Sequence, residues 1–273
     1  MAVLLDGAVV CVTGAARGIG RATASALADR GARVWIGDLD LEEAEASAAE
    51  IGRGARAAQL DVTDAASFAR FLGAVEGDGP LAMLVNNAGI MRVGPFLDQR
   101  PAGQHQEIAV NLGGVVNGMR LALPGMVERD HGHVVNVASM AAKMTTPGAA
   151  VYSASKFAVA ALSRAVRAEI AESAVTISTV MPSAVRTELI TGLQTRGVPT
   201  LDPEDVAAAI VASAGHPRRE ITLPRWLAPV GATEQAVPER LLEFAKRNLG
   251  GNDTLAADDP ERQAYEGRHE HVG

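Results

Sequence analysis

Tyr152 and Lys156 stand four positions apart in the run Tyr152-Ser153-Ala154-Ser155-Lys156, with Ser139 upstream of them. On a helix this spacing puts both side chains on one face, so an ammonium lies beside a phenol. A phenol ordinarily titrates near pH ~10, too high for a base at neutrality. A neighbouring cation favours the phenolate and lowers that value, as a general acid/base for an alcohol–ketone pair requires. The Ser139 hydroxyl can meet the same reacting oxygen. The three residues are a candidate proton-transfer site on a carbinol or carbonyl carbon.

A second constellation lies near the N-terminus, in Thr13-Gly14-Ala15-Ala16-Arg17-Gly18-Ile19-Gly20. Gly14 permits a tight turn, Gly18 lets backbone approach a pyrophosphate, and Gly20 allows a helix to pack closely on a sheet. The helix N-terminus offers free N–H groups to phosphates. An acid, Asp38, answers this turn about twenty residues on, as a dinucleotide-binding unit requires. Gly14, Arg17, Gly18, Ile19, Gly20 and Asp38 are therefore candidate cofactor contacts. A carboxylate at position 38 accepts hydrogen bonds from ribose hydroxyls and repels a 2′-phosphate, at a cost of a few kcal/mol for an effective dielectric of ~20. Arg17 pulls the other way, since a guanidinium pairs with phosphate. The balance favours NAD, with NADP as the alternative.

The elements that must position these residues alternate regularly. Strands are expected at 8–13, 33–38, 57–61, 81–86, 133–139, 175–181 and 220–223. Helices are expected at 18–30, 41–51, 65–75, 104–128, 152–172 and 203–214, with one more at 237–249. This alternation predicts right-handed crossovers and an α/β fold with one parallel sheet covered on both faces. Residues 1–249 read as a single domain, and the polar segment 250–273, with little apolar material, reads as a tail. His269 and His271 in that tail do not make a closed metal site, and no metal is expected.

Composition narrows the function. The 273 residues are 48% apolar with 28 glycines and 3% aromatic, which suits strands buried on both faces. A net charge of -7 argues against a nucleic-acid or anionic-membrane partner. The single Cys11 lies in a strand pattern, reads as a structural thiol and fits a reducing compartment. No stretch is apolar enough to span a bilayer, and the N-terminus lacks a basic leader, so a cytoplasmic location is expected.

The chain resembles the classical short-chain dehydrogenase/reductase family. The resemblance rests on Thr13–Gly20, on Asn86-Asn87-Ala88-Gly89, on Asn111, Ser139 and Tyr152…Lys156, and on Pro182 through Thr187. It runs in order over roughly residues 6 to 224. It implies a Rossmann-like doubly wound sheet of order 3-2-1-4-5-6-7 and a homodimer or homotetramer packed through the helices near 104–128 and 152–172. It implies that Tyr152 exchanges the proton with the substrate oxygen, and that Lys156 holds the nicotinamide ribose and lowers the Tyr152 pKa. Ser139 would position the substrate oxygen, and Asn111 would kink its helix and complete a proton relay through water. Asn86, Asn87, Ala88 and Gly89 would lie against the adenosine end and the central sheet. Asp61 and Val62 would flank the adenine, and Pro182, Val185 and Thr187 would contact the nicotinamide carboxamide. One position departs from the family pattern: Ser183 follows Pro182 where Gly is usual, which costs about a kcal/mol if that backbone needs φ > 0.

Pocket walls are expected from Met91, Val93, Met140, Met144, Leu189, Ile190 and Leu193, with Ser139 and Tyr152 at the base. Such apolar walls suit a hydrophobic secondary alcohol or ketone. Two other readings stand beside this one. An NADPH-dependent reductase of 3-oxoacyl thioesters on a carrier protein would use Arg17 but is opposed by Asp38. A non-catalytic dinucleotide sensor or scaffold on the same fold would not be expected to keep both Tyr152 and Lys156.

Overall fold

The computed structural model describes residues 2–191, 199–229 and 260–268. Strands β1 (Val9–Thr13), β2 (Arg33–Asp38), β3 (Arg56–Gln59), β4 (Leu81–Asn86), β5 (His133–Val137), β6 (Thr176–Pro182) and β9 (Glu220–Leu223) form one sheet. Its order is β3-β2-β1-β4-β5-β6-β9, and every pairing is parallel. The expected order is therefore found, with two short strands, β7 (Ala184–Val185) and β8 (Thr200–Leu201), intervening before the last. They pair with each other in a separate ladder.

Strand side chains alternate between the two faces, as the pleat demands. Val10, Val12, Ile36, Met83 and Val85 point to one core, covered by α1 (Gly18–Ala28), α2 (Leu41–Ile51) and α7 (Pro203–Gly215). Val9, Cys11, Leu84 and Val134 point to the other, with Phe68 and Phe71 from α3 (Ala65–Glu76), Met119 from α5 (Gly114–Glu128) and Val159 from α6 (Ala150–Glu169). Cys11 is fully buried, as expected of a structural thiol. Helix starts follow their caps: Asp40 accepts from the Glu43 amide at 3.2 Å, and Asp64 from Ala66 and Ser67 at 2.9 and 3.1 Å.

Three departures concern the site. The helix expected to begin near residue 104 begins as α4 (Pro101–Ile108), with Pro101 in its first turn, and passes through a π-helical turn (Ala109–Gly113) into α5. Ser183 is not among the positive-φ residues, so the strain expected there does not arise; its amide donates to Leu223 and its hydroxyl to Pro199. The segment read as a polar tail contains a helix, α8 (Pro260–Arg268), in which Arg262 and Tyr265 are buried. The helix expected at 237–249, Leu193, and the pair His269 and His271 lie outside the described residues.

Candidate active site

The glycine turn, the end of β2 and the loop after β4 enclose a cleft of about 480 Å³. Gly14 and Gly18 both hold positive φ, at 62° and 57°. A Cβ on Gly14 would fall 2.6 Å from the Ala88 Cα, and one on Gly18 would fall 3.2 Å from the Thr187 methyl. A side chain at either position would be strained by the positive φ and crowd its neighbour, so the turn takes glycine there. Asn87 braces it: its side-chain amide donates to the Thr13 and Gly14 carbonyls at 3.0 and 2.9 Å, while its own N–H and that of Ala88 donate to Thr13 Oγ1.

At the outer end, Asp38 accepts from the Ala16 and Asp40 amides at 3.0 and 3.2 Å. Burial nonetheless raises its pKa, with those two amides opposing. Arg17 pairs with Asp40 at 3.0 Å and with Glu188 at 3.4 Å. The cleft wall also includes Ile19, Asp61, Val62, Gly89 and Thr187. Gly20 sits behind it, against Gly14 and Asn87, and Val185 is buried in the adjoining core. Pro182 closes β6, and Asn86 turns into the sheet, donating to Asn136 at 2.8 Å. These residues fit a dinucleotide: a glycine cradle for phosphates, an acid at the ribose position, and apolar walls between them.

Tyr152 and Lys156 lie on α6, both buried, with the Lys156 Nζ 5.6 Å from the centre of the Tyr152 ring. The ammonium is held by the Val137 carbonyl at 3.0 Å. The Ser139 hydroxyl caps the turn Met140–Ala142 by accepting from the Ala141 amide at 3.1 Å, and its proximity works to lower the Tyr152 pKa. Asn111, in the π-helical turn, accepts from the Ile90 amide at 2.8 Å and donates to the Ile90 carbonyl and Ser155 Oγ at 2.9 and 3.1 Å. The four residues are thus assembled from the turn after β5, α6 and the π-helical turn.

The electrostatics differ from the simple reading of a cation lowering a phenol. Burial pushes the Tyr152 pKa up to about 12, with the Ser139 hydrogen bond opposing and Glu107 adding to the rise. Burial brings Lys156 down to about 8, with Glu107 opposing. Desolvation dominates both shifts because both groups are removed from water.

Around Tyr152 an apolar cluster gathers Met91, Val93, Ala149, Ala141, Leu189 and Ile190. Met140 and Met144, expected as walls, lie outside it: Met140 is buried at the start of the 3-10 turn and Met144 is half-buried beyond its end. Glu107 went unnoticed in the sequence. It lies one turn before Asn111 on the same helix face, is 0% exposed, and accepts from the Arg92 amide at 3.0 Å. Burial raises its pKa to about 7, with the Arg92 amide opposing. The signal available was an acid four positions before the Asn111 kink.

A family profile for short chain dehydrogenase matches residues 8–196. The chain is 35% identical over 236 residues to the 2,5-dichloro-2,5-cyclohexadiene-1,4-diol dehydrogenase LinX of Sphingobium indicum, covering 81% of this chain and 94% of that one. It is 41% identical over 189 residues to the D-threitol dehydrogenase of Mycolicibacterium smegmatis, covering 68% of this chain and 73% of that one. Among solved structures, a short chain dehydrogenase/reductase from Burkholderia phymatum in complex with NAD superposes with a TM-score of 0.80. That match covers 85% of this chain and 94% of the other at 23% identity, a likeness of fold.

Proposed function

The chain belongs to the short-chain dehydrogenase family of oxidoreductases acting on CH–OH groups, and we propose that it interconverts a hydrophobic secondary alcohol and its ketone with NAD. The observation that carries this reading is Tyr152 buried beside Lys156 on one face of α6, at the base of an apolar cluster, with Ser139 on the adjoining turn. A bound oxidised nicotinamide would supply the hydride acceptor and a positive charge that favours the phenolate. Ser139 holds the substrate oxygen at the Tyr152 hydroxyl. Tyr152 takes the carbinol proton in oxidation and returns it in reduction. Lys156, fixed by the Val137 carbonyl, holds the ribose hydroxyls and favours the phenolate. Asn111 anchors the loop at Ile90 and completes, through water and Lys156, the path of the proton to solvent.

NAD is favoured over NADP by the charges around Arg17. Its guanidinium already faces Asp40 and Glu188, with Asp38 alongside, so a 2′-phosphate would meet three carboxylates for one cation. At an effective dielectric of ~20 that repulsion costs a few kcal/mol. The same charges weigh against the carrier-protein thioester reductase. The relatives do not agree on a substrate, since one is named for a chlorinated cyclic diol and another for D-threitol. The apolar cluster supports the hydrophobic end of that range. A homodimer or homotetramer packed through α5 and α6 would cover Val116 and Leu121, which are partly exposed. Among the described residues no helix is long and apolar enough to cross a membrane. The buried lone Cys11 suits the reducing cytoplasm.

The test is to measure initial rates at 340 nm with NAD and NADP in parallel, over a panel of hydrophobic secondary alcohols. Turnover with NAD at a kcat/KM at least tenfold above that with NADP is expected. Turnover with NADP alone refutes the cofactor assignment, and tight NAD binding without turnover favours the sensor.

A further inference from the structure

The loop at residues 90–93 forms one wall of the apolar cluster, and its four consecutive amides are held by side chains from two helices in alternation. Ile90 N–H donates to Asn111 at 2.8 Å and Arg92 N–H to Glu107 at 3.0 Å, both partners lying on the α4–α5 helical run. Met91 N–H donates to the Tyr265 hydroxyl at 3.4 Å and Val93 N–H to Glu266 at 3.2 Å, both on α8. An extended segment turns successive amides to opposite sides, so this loop is gripped from both.

Arg262 ties the same helix to the opposite wall. Its guanidinium, 1% exposed, donates to the Leu189 carbonyl at 2.7 Å and to the Met91 carbonyl, and its Nε pairs with Glu266 at 2.9 Å. It also stacks over the Tyr265 ring at 4.6 Å. A buried guanidinium is costly unless its donors are satisfied, and here they are satisfied by bridging the two walls of one pocket. Tyr265, 5% exposed, borders the inner end of the 480 Å³ cofactor cleft beside Leu189, a residue that cleft shares with the apolar cluster around Tyr152. Residues 262, 265 and 266 share one helical face, which accounts for three inward-facing side chains in an otherwise polar segment.

We propose that α8 completes the substrate pocket, with Tyr265 as a specificity-determining residue and Arg262 and Glu266 positioning it against the walls at Met91–Val93 and Leu189. This deepens the alcohol dehydrogenase reading and rests on it. Because Arg262 is committed to carbonyls and Glu266, the pocket it closes takes a neutral, compact, apolar alcohol or ketone rather than one with an anionic tail.

Two measurements on the full-length chain test this. The first is residue-resolved hydrogen exchange in the wild type and Arg262→Ala. With α8 unseated, the Met91 and Val93 amides exchange at least tenfold faster, while Ile90 and Arg92, held from the other side, change far less. Equal exchange of Met91 and Val93 in both proteins overturns the proposal. The second is kcat/KM for a compact and a bulky secondary alcohol in wild type, Tyr265→Phe and Tyr265→Ala. Loss of the ring shifts the bulky-to-compact ratio by about tenfold or more, as pocket contacts of this size do, while Phe, which keeps the ring, restores the wild-type ratio. An unchanged ratio in Tyr265→Ala overturns the specificity role even where α8 is seated. A wild type inactive on every alcohol with both cofactors refutes the dehydrogenase reading and the specificity role with it. The exchange pattern is read separately, so the seating of α8 stands or falls on its own.

Discussion

The cofactor half and the substrate half proposed for this molecule are built in different ways. The cleft at Gly14–Gly20 is made of backbone: a strand end, a turn of glycines and a helix start, all within one βαβ unit. The pocket over Tyr152 is made of side chains from four separated stretches, near 90–93, 139–152, 187–190 and 262–266. A backbone cradle tolerates no Cβ, whereas a side-chain wall can be rebuilt residue by residue. One half is therefore suited to a fixed ligand and the other to a changeable one. Substitutions should break the two halves separately.

The largest effect belongs where the halves meet. Tyr152→Phe removes the buried phenol hydroxyl beside Lys156, and turnover should fall by about 10²–10⁴-fold while NAD affinity changes little. Steady-state kinetics with a cofactor titration would check this. In the cofactor half, Gly14→Ala places a methyl 2.6 Å from the Ala88 Cα at φ 62°. The left-handed backbone alone costs about 1–2 kcal/mol, so the unfolding free energy measured in denaturant should fall by at least that much. Asp38→Ser should move the NADP-to-NAD ratio of kcat/KM toward NADP by about tenfold, the value of removing one close like charge. An unmoved ratio would mean that Asp40 and Glu188 set the preference instead.

The smallest effect sharpens the comparison from the substrate side. Glu107 gives up its proton near 4.5 when unfolded but near 7 when folded. Between those values the folded state holds the extra proton, so this group's contribution to stability falls as pH rises through that window and stays lost above it. Glu107→Gln keeps an acceptor for the Arg92 amide and removes the titration. Its gain in unfolding free energy should be absent near pH 4, grow through the window and reach at most about 3 kcal/mol above pH 7. Denaturant melts at several pH values would show it.

The same division explains what was legible in the chain. The alternating apolar runs located every strand of the main sheet, because burial on both faces leaves a strong signal at β1, β4 and β5. The glycine turn and Asp38 were legible because their requirements are local. Strands β7 and β8, of two residues each, are too short to show a period. Met140 and Met144 fit a wall by type, but where a side chain points depends on the 3-10 turn that carries it. Tyr265 escaped notice because its segment reads as polar and its contacts lie more than 170 residues away in sequence. Glu107 escaped because a buried acid looks like any exposed one until the neighbouring helices are placed.

The central claim is that Tyr152 and a nicotinamide cofactor together convert an alcohol to a ketone in this pocket. The most direct test is to incubate the protein with NAD and a secondary alcohol deuterated at the carbinol carbon, then look for deuterium in the recovered cofactor by mass spectrometry. The account predicts deuterated NADH from the wild type and none from Tyr152→Phe over the same interval. Equal labelling by both proteins, or ketone formed with no label in the cofactor, would contradict it.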